Sequence, residues 1–292
     1  MKTLVFLGYK EDYEQVEIDA LRNTYRVHHI EVSKLTKRLI SNALFFNKKL
    51  QHFVFKKIIQ SKIKKIEGID YIFLTDSLKH IRAAKGLAFK KIILFRNVFD
   101  GSYLHELDEF EVYSFENKDC LKYGFKQFNV PAPSLYVIDT LELKRENDVC
   151  FVGLDKGRGE LLDKIKHTLD SCKVKCSITT FQKHRVLTYK EYLEKMLNTN
   201  AVLEITAGNQ ASSTMRIIEA LYSGRKIISN NKHLLTHPMY HKENFLIFDN
   251  QEDLADNASN FLKVPFNKNA CNAESYKAEY IYGQIITQES DA

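Results

Sequence analysis

Short apolar runs alternate with helix-length amphipathic stretches along most of the chain. In the first half, residues 4–8 (LVFLG), 69–75 (IDYIFLT) and 91–96 (KIILFR) are continuous and β-rich, as strands buried on both faces should be. Residues 25–32 (YRVHHIEV) and 111–116 (EVYSFE) read as further strands. Strands separated by helices of this length imply a parallel sheet with right-handed crossovers. The second half repeats the pattern more sharply, with strands at 149–153, 174–179, 201–205, 226–229 and 245–249. Helices are predicted over 159–171, 188–198, 213–223 and 252–262. Thr188 with Glu191 three residues on forms a capping box, and Gly224 stops the third helix. Between them, residues 130–147 (VPAPSLYVIDTLELKREN) break the alternation and hold two of the four prolines. The pattern predicts two Rossmann-like α/β domains, at 1–140 and 147–270. A terminal helical segment, 271–292, is free to cross back to the first domain.

Length and composition agree with this division. A chain of 292 residues suits two domains of about 140. At 44% hydrophobic residues it can fill two cores. No window approaches ~18 uncharged apolar residues. The opening apolar run meets charges directly after Gly8 and has no small-residue cleavage site, so a strand is expected there rather than a signal peptide. Five scattered cysteines suit reduced thiols, and the expected location is cytoplasmic. The formal charge of +6 is unevenly placed, because residues 34–66 carry ten Lys or Arg and no Asp or Glu. Leu39, Ala43, Phe46, Leu50, Phe53 and Ile58 interleave with these cations at roughly helical spacing. Such a segment suits a solvated helix face, a surface meeting anionic lipid, or, less readily, nucleic acid.

Candidate chemistry concentrates in two segments of the second half. In residues 208–231 (GNQASSTMRIIEALYSGRKIISNN), strand 201–205 delivers the chain to a small polar loop that includes Gln210, Ser213 and Thr214. The C-terminal end of a parallel strand is where open α/β sheets bind ligands, and a following helix start is a ready anion site. Arg216, Glu219 and Ser223 share one stripe of that helix. Glu219 is placed to accept ribose hydroxyls and Arg216 to hold a phosphate. The same two residues also read as an ordinary surface pair on an amphipathic helix. The second segment is 151–162 (FVGLDKGRGELL), where a strand ends at Gly153 and Lys156 and Arg158 flank Gly157 before a helix. Two cations on a glycine-containing turn can face a pyrophosphate. No D-x-D occurs, so no metal is expected on the diphosphate. His233, His237 and His241 have helical ligand spacing, but Pro238 breaks that helix, and no metal site is expected there either.

Together, VG-x-DKGR near mid-chain and R-x-x-EAL-x-x-GRKIISNN some sixty residues later resemble the C-terminal domain of bacterial lipopolysaccharide and capsule glycosyltransferases of the GT-B fold. The resemblance covers about residues 148–248, and YSFENKDCLKYGF (113–125) is similar to the end of their first domain. It implies an α/β fold of two Rossmann-like domains facing a cleft, with a nucleotide-sugar donor as co-substrate and no other cofactor. It implies that Glu219 holds the donor ribose and that Lys156 and Arg158 hold the diphosphate, with Arg216 a second choice. Many retaining members carry a second glutamate eight positions earlier; here that position is Ala211, so Gln210 or the loop backbone would have to replace it.

A base, if the reaction needs one, is expected from the first domain, where Asp12 and Asp76 (with Glu11 and Asp100) lie near strand ends. The expected acceptor is a cell-surface glycan or a lipid-linked glycan met at the inner-membrane surface. A DNA-modifying glycosyltransferase and a nucleotide-sugar epimerase of the same fold are the rival readings.

Overall fold

A computed structural model describes residues 1–182, 187–206 and 214–291. The chain divides into two compact units, Met1–Asn129 and Val130–Ala292. The terminal helix, which the sequence left free to return to the first domain, is grouped with the second unit.

In the first unit, β1 (Thr3–Leu7), α1 (Asp12–Leu21), β2 (Arg26–Ile30), α2 (Lys34–Ala43) and α3 (Lys48–Ile63) lead to β3 (Ile69–Thr75). Then follow α4 (Leu78–Ala84), β4 (Lys90–Phe95), β5 (Glu111–Ser114), α5 (Asn117–Tyr123) and the short β6 (Lys126–Gln127). All six strands are parallel, in the order β2-β1-β3-β4-β5-β6. Central β1 is buried along its whole length, which explains its unbroken apolar run; edge strand β2 is only partly covered and mixes Val, His and Arg. Val5, Leu7, Ile72, Leu74 and Ile93 pack with Phe55, Ile59 and Ile63 of α3 in one core. Helix α2 buries none of its residues.

In the second unit, β7 (Asn147–Leu154), α6 (Gly159–Ser171), β8 (Cys176–Phe181), α7 (Tyr189–Leu197) and β9 (Thr199–Glu204) come first. After them come α8 (Met215–Tyr222), β10 (Lys226–Ser229), β11 (Phe245–Ile247), α9 (Gln251–Lys263) and α10 (Ala278–Asp291). The sheet is again fully parallel, ordered β11-β10-β9-β7-β8. The capping box of Thr188 and Glu191 starts α7 as expected. Helix α10 is held within its unit by the Ala132 N–H on the Tyr276 carbonyl at 2.9 Å and the Ala278 N–H on the Tyr136 hydroxyl at 2.9 Å. Among the described residues no helix is long and apolar enough to cross a membrane.

Both sheets are doubly wound, so the first strand of each has the second on one side and the third on the other. The crevice beyond the carboxyl ends of the first and third strands is the topological switch point. In the first unit that place is closely packed. The β1–β3 ladder runs to Leu7 and Leu74, and Gly8 follows at φ +90°. A Cβ on Gly8 would lie 2.6 Å from Thr75 Oγ1 and 3.1 Å from His80 Nδ1. Strain and overlap therefore add, and Gly8→Ala should cost about 2 kcal/mol or more in urea unfolding. Gly86→Ala, at φ +78° with open space around its Cβ, carries the backbone strain alone and should cost less. Equal losses for the two variants would mean that the close approach at Gly8 is energetically unimportant.

Candidate functional site

The switch point of the second sheet is built differently. The β7–β8 ladder continues to Leu154 and Phe181, and β9 pairs with β10 as far as Glu204 and Ser229. Between β7 and β9, however, pairing ends at Cys150 and Val202. Beyond that point two arginines bridge the strands in place of the ladder. Arg216, from the first turn of α8, donates through Nη2 to the Val152 carbonyl at 3.1 Å and through Nη1 to the Glu204 carboxylate. Arg158, from the β7–α6 turn, donates to the Leu154 carbonyl at 2.6 Å, the Asp155 carbonyl at 3.1 Å and the Ile205 carbonyl. Both guanidiniums lie against the Phe151 ring, 5.0 and 5.1 Å from its centroid. Gly153 fits this arrangement, because a Cβ there would come 3.0 Å from Arg216 Nη2.

The turn itself is strained. Lys156 has φ +49° and Gly157 φ +76°, and a lysine in the left-handed region costs about 1–3 kcal/mol. Asp155 holds the turn by accepting the Arg158 N–H on Oδ1 at 3.0 Å. Lys156 is exposed at the apex. Partial desolvation, then the charges of Arg158 and Arg216, pull its ammonium below the usual lysine range. Burial, then Arg216, lowers Arg158 in the same way.

Beneath the turn lies a buried polar cluster. Glu204 and Glu219 are each 1% exposed. Thr214 Oγ1 donates to Glu204 Oε1 at 2.9 Å, and the Tyr189 hydroxyl donates to Glu219 Oε1 at 2.7 Å. Tyr192, stacked on Tyr189 with centroids 6.2 Å apart, couples through its hydroxyl to Arg216 and Glu219. Burial pushes the Glu219 carboxyl up to about 7, opposed by the Tyr189 hydrogen bond and the charge of Arg216. Glu204 takes the ion pair, so Arg216 keeps its charge despite burial.

Six of the residues singled out from sequence therefore meet in one place: Gly153, Lys156, Arg158, Thr214, Arg216 and Glu219. Gln210 and Ser213 lie outside the described residues. The stripe of Arg216 and Glu219 is not a surface pair; Arg216 turns to Glu204, and Glu219 points into the unit. Glu204, Tyr189 and Tyr192 were not foreseen, although a glutamate inside the apolar strand AVLEI was a visible sign. Asp12 and Asp76 belong to the first unit. Asp12 opens α1 and is exposed, whereas Asp76 follows β3 and accepts the Asn97 side-chain N–H at 2.8 Å. Both sit at the carboxyl edge of that sheet, where β1 and β3 are neighbours. His80 lies close by, buried, with its Nδ1 2.9 Å from Ser77 Oγ. Burial and then Lys79 lower its pKa to about 3, so it is a neutral imidazole at physiological pH.

No family model and no curated protein sequence matches the chain. Several solved structures resemble its fold across both units. AviGT4, a glycosyltransferase involved in avilamycin A biosynthesis, is 11% identical with a TM-score of 0.60, covering 100% of this chain and 96% of its own. The UDP-GlcNAc 2-epimerase of Neisseria meningitidis bound to UDP-GlcNAc is 10% identical with a TM-score of 0.57, covering 98% and 100%. The UDP-N-acetylglucosamine 2-epimerase of Rickettsia bellii is 10% identical with a TM-score of 0.54, covering 99% and 96%. The fold is GT-B. At these identities the likeness establishes the GT-B architecture of two parallel-sheet α/β units and leaves the chemistry to the residues.

The raised carboxyl of Glu219 has a stability consequence with a definite sign. Below about pH 4.5 the carboxyl is protonated in folded and unfolded chains alike, and there is no penalty. Between there and pH 7 the unfolded chain releases the proton while the folded chain keeps it, so stability falls as pH rises. The full loss, about 3 kcal/mol, is reached above pH 7. Glu219→Gln should therefore gain on the wild type by about that amount between pH 5 and pH 8 in denaturant titrations. Parallel stability curves for the two proteins would show that Glu219 ionises freely where it sits.

Proposed function

We propose that this chain is a glycosyltransferase that takes its sugar from a nucleotide-sugar donor held at the switch point of the second sheet. The carrying observation is an imbalance of charge there. Arg216 is neutralised by Glu204, but neither Lys156 nor Arg158 has an ion pair among the described residues. Both have their charged forms disfavoured, by desolvation first and then by the neighbouring guanidinium charge. A diphosphate offsets that charge, and the amides opening α6 add to its hold.

In this reading Lys156 stabilises the charge that develops on the leaving nucleoside diphosphate, and Arg158 sets the turn that carries Lys156. Glu219 receives a ribose hydroxyl from within α8 as a tyrosine hydroxyl rotates away from its carboxylate. Thr214 lines the donor side. The reaction runs without a metal ion. The first unit supplies the acceptor surface and any base, with Asp12 and Asp76 the candidates. The exposed cations and apolar side chains of α2 and α3 favour a glycan carried on lipid at the inner-membrane surface, as in lipopolysaccharide or capsule assembly.

Epimerisation of a nucleotide sugar is the second reading, favoured by the likeness to two UDP-GlcNAc 2-epimerases. The two differ in products. A transferase releases a nucleoside diphosphate only when an acceptor is added, whereas an epimerase converts the donor sugar alone. Lys156→Ala should lower kcat by ~10²-fold with an unchanged melting temperature, since its side chain supports nothing in the described fold. EDTA should leave turnover intact. Activity within threefold of wild type for Lys156→Ala would remove the lysine from the mechanism, and a strict Mg²⁺ requirement would contradict the metal-free site.

A further inference from the structure

A pocket of about 340 Å³ lies in the first unit between α2, α3 and α4, within the size range of small-ligand sites. Its walls carry apolar side chains and cations together. Ile40, Phe53, Phe55 and Ala83 supply the apolar surface, and Lys37, Lys56, Lys79 and Arg82 supply the charge. No carboxylate is among the lining residues. Arg82 is already claimed by Glu106 at 2.8 Å. Lys37, Lys56 and Lys79 have no ion pair among the described residues, and Lys79 lies over the Phe55 ring at 5.4 Å. Its pKa is lowered by desolvation first and then by Lys10 and Lys37, so positive charges gather on this face.

The walls are fixed from both sides. Gln51 of α3 donates to the Leu44 carbonyl at the end of α2 at 2.9 Å. Gln60 donates to the Ala83 carbonyl at 3.3 Å and the Lys85 carbonyl at 3.4 Å, at the end of α4. The same helix pair leaves further apolar side chains exposed, Leu39 at 59% on α2 and the wall residue Phe53 at 55% on α3.

We infer that this pocket binds one molecule of an anionic lipid, its phosphate held among Lys37, Lys56 and Lys79 and its hydrocarbon chain laid against Ile40, Phe53 and Phe55. A free phosphate would use the lysines and leave the apolar wall wet. A neutral lipid would cover the wall and leave three cations uncompensated. A phosphate on a hydrocarbon chain satisfies both, and the long lysine stems can follow the chain while their ammonium groups reach the head group. This inference deepens the membrane reading of the same helices and rests on it for the source of the lipid.

The test is calorimetric titration with decyl phosphate below its micelle concentration, with inorganic phosphate and decanol as controls. Wild type should bind decyl phosphate saturably, at one per chain and at least tenfold more tightly than either control. Lys56→Glu and Lys37→Glu should each weaken binding at least tenfold, Lys56→Arg should retain it, and Ser41→Trp at the exposed rim should block it. Unchanged affinity in Lys56→Glu, equal affinity for decanol, or displacement by a short oligonucleotide would overturn the inference. Sedimentation with anionic vesicles separates it from the broader reading. Wild type that sediments yet does not bind decyl phosphate loses the pocket and keeps the membrane surface. Saturable decyl phosphate binding without sedimentation does the reverse.

Discussion

The second unit depends on one substitution of bonding: a guanidinium where a strand ladder should be. Beyond Cys150 and Val202 the adjacent strands β7 and β9 stop pairing, and Arg216 spans them through the Val152 carbonyl and the Glu204 carboxylate. This ties the head of α8 to the sheet. It also sets the local charge balance. One buried arginine serves two buried glutamates, so Glu204 takes the charge and Glu219 is left to a tyrosine hydroxyl and a raised pKa. Removing either partner would strand a charge inside the unit, which typically costs about 3–5 kcal/mol. The pair is thus a constraint on the fold before it is anything chemical.

The two units share a winding order and differ at the place where that order matters. In the first, the ladder closes fully and the backbone at Gly8 abuts Thr75 and a neutral His80. In the second, the ladder opens and arginines fill the gap, bringing positive charge to the sheet edge with Lys156 at its outer limit. Similar strand order therefore yields one packed edge and one positively charged edge. In the first unit a cluster of cations without carboxylates lies on α2 and α3, beside the exposed Phe45, Phe46 and Phe53.

Strand positions were legible because parallel strands buried on both faces are written as unbroken apolar runs, and β3 was read at its observed bounds. Helix α6 was equally plain, bounded by the glycine turn before it and Cys172 after it. The turn at Lys156 and Arg158 was legible as a basic turn at a strand end, because Gly157 takes a positive φ there. What could not be read was direction. Sequence spacing places Arg216 and Glu219 on one stripe of α8 but does not say that the stripe faces inward. That outcome depends on Glu204 and Tyr189, which lie 12 and 30 residues away in the chain. Nor does the spacing of Asp12 and Asp76 reveal that they share one sheet edge, since that follows from strand order alone.

The central claim, that the opened switch point of the second sheet receives a nucleoside diphosphate, is tested most directly by backbone amide hydrogen exchange with and without a panel of nucleotide sugars. A cognate donor should slow exchange at residues 154–159 and at the head of α8, residues 214–218, and leave α2 and α3 unchanged. Protection confined to the first unit, with those two segments unaffected by a bound donor, would contradict the account.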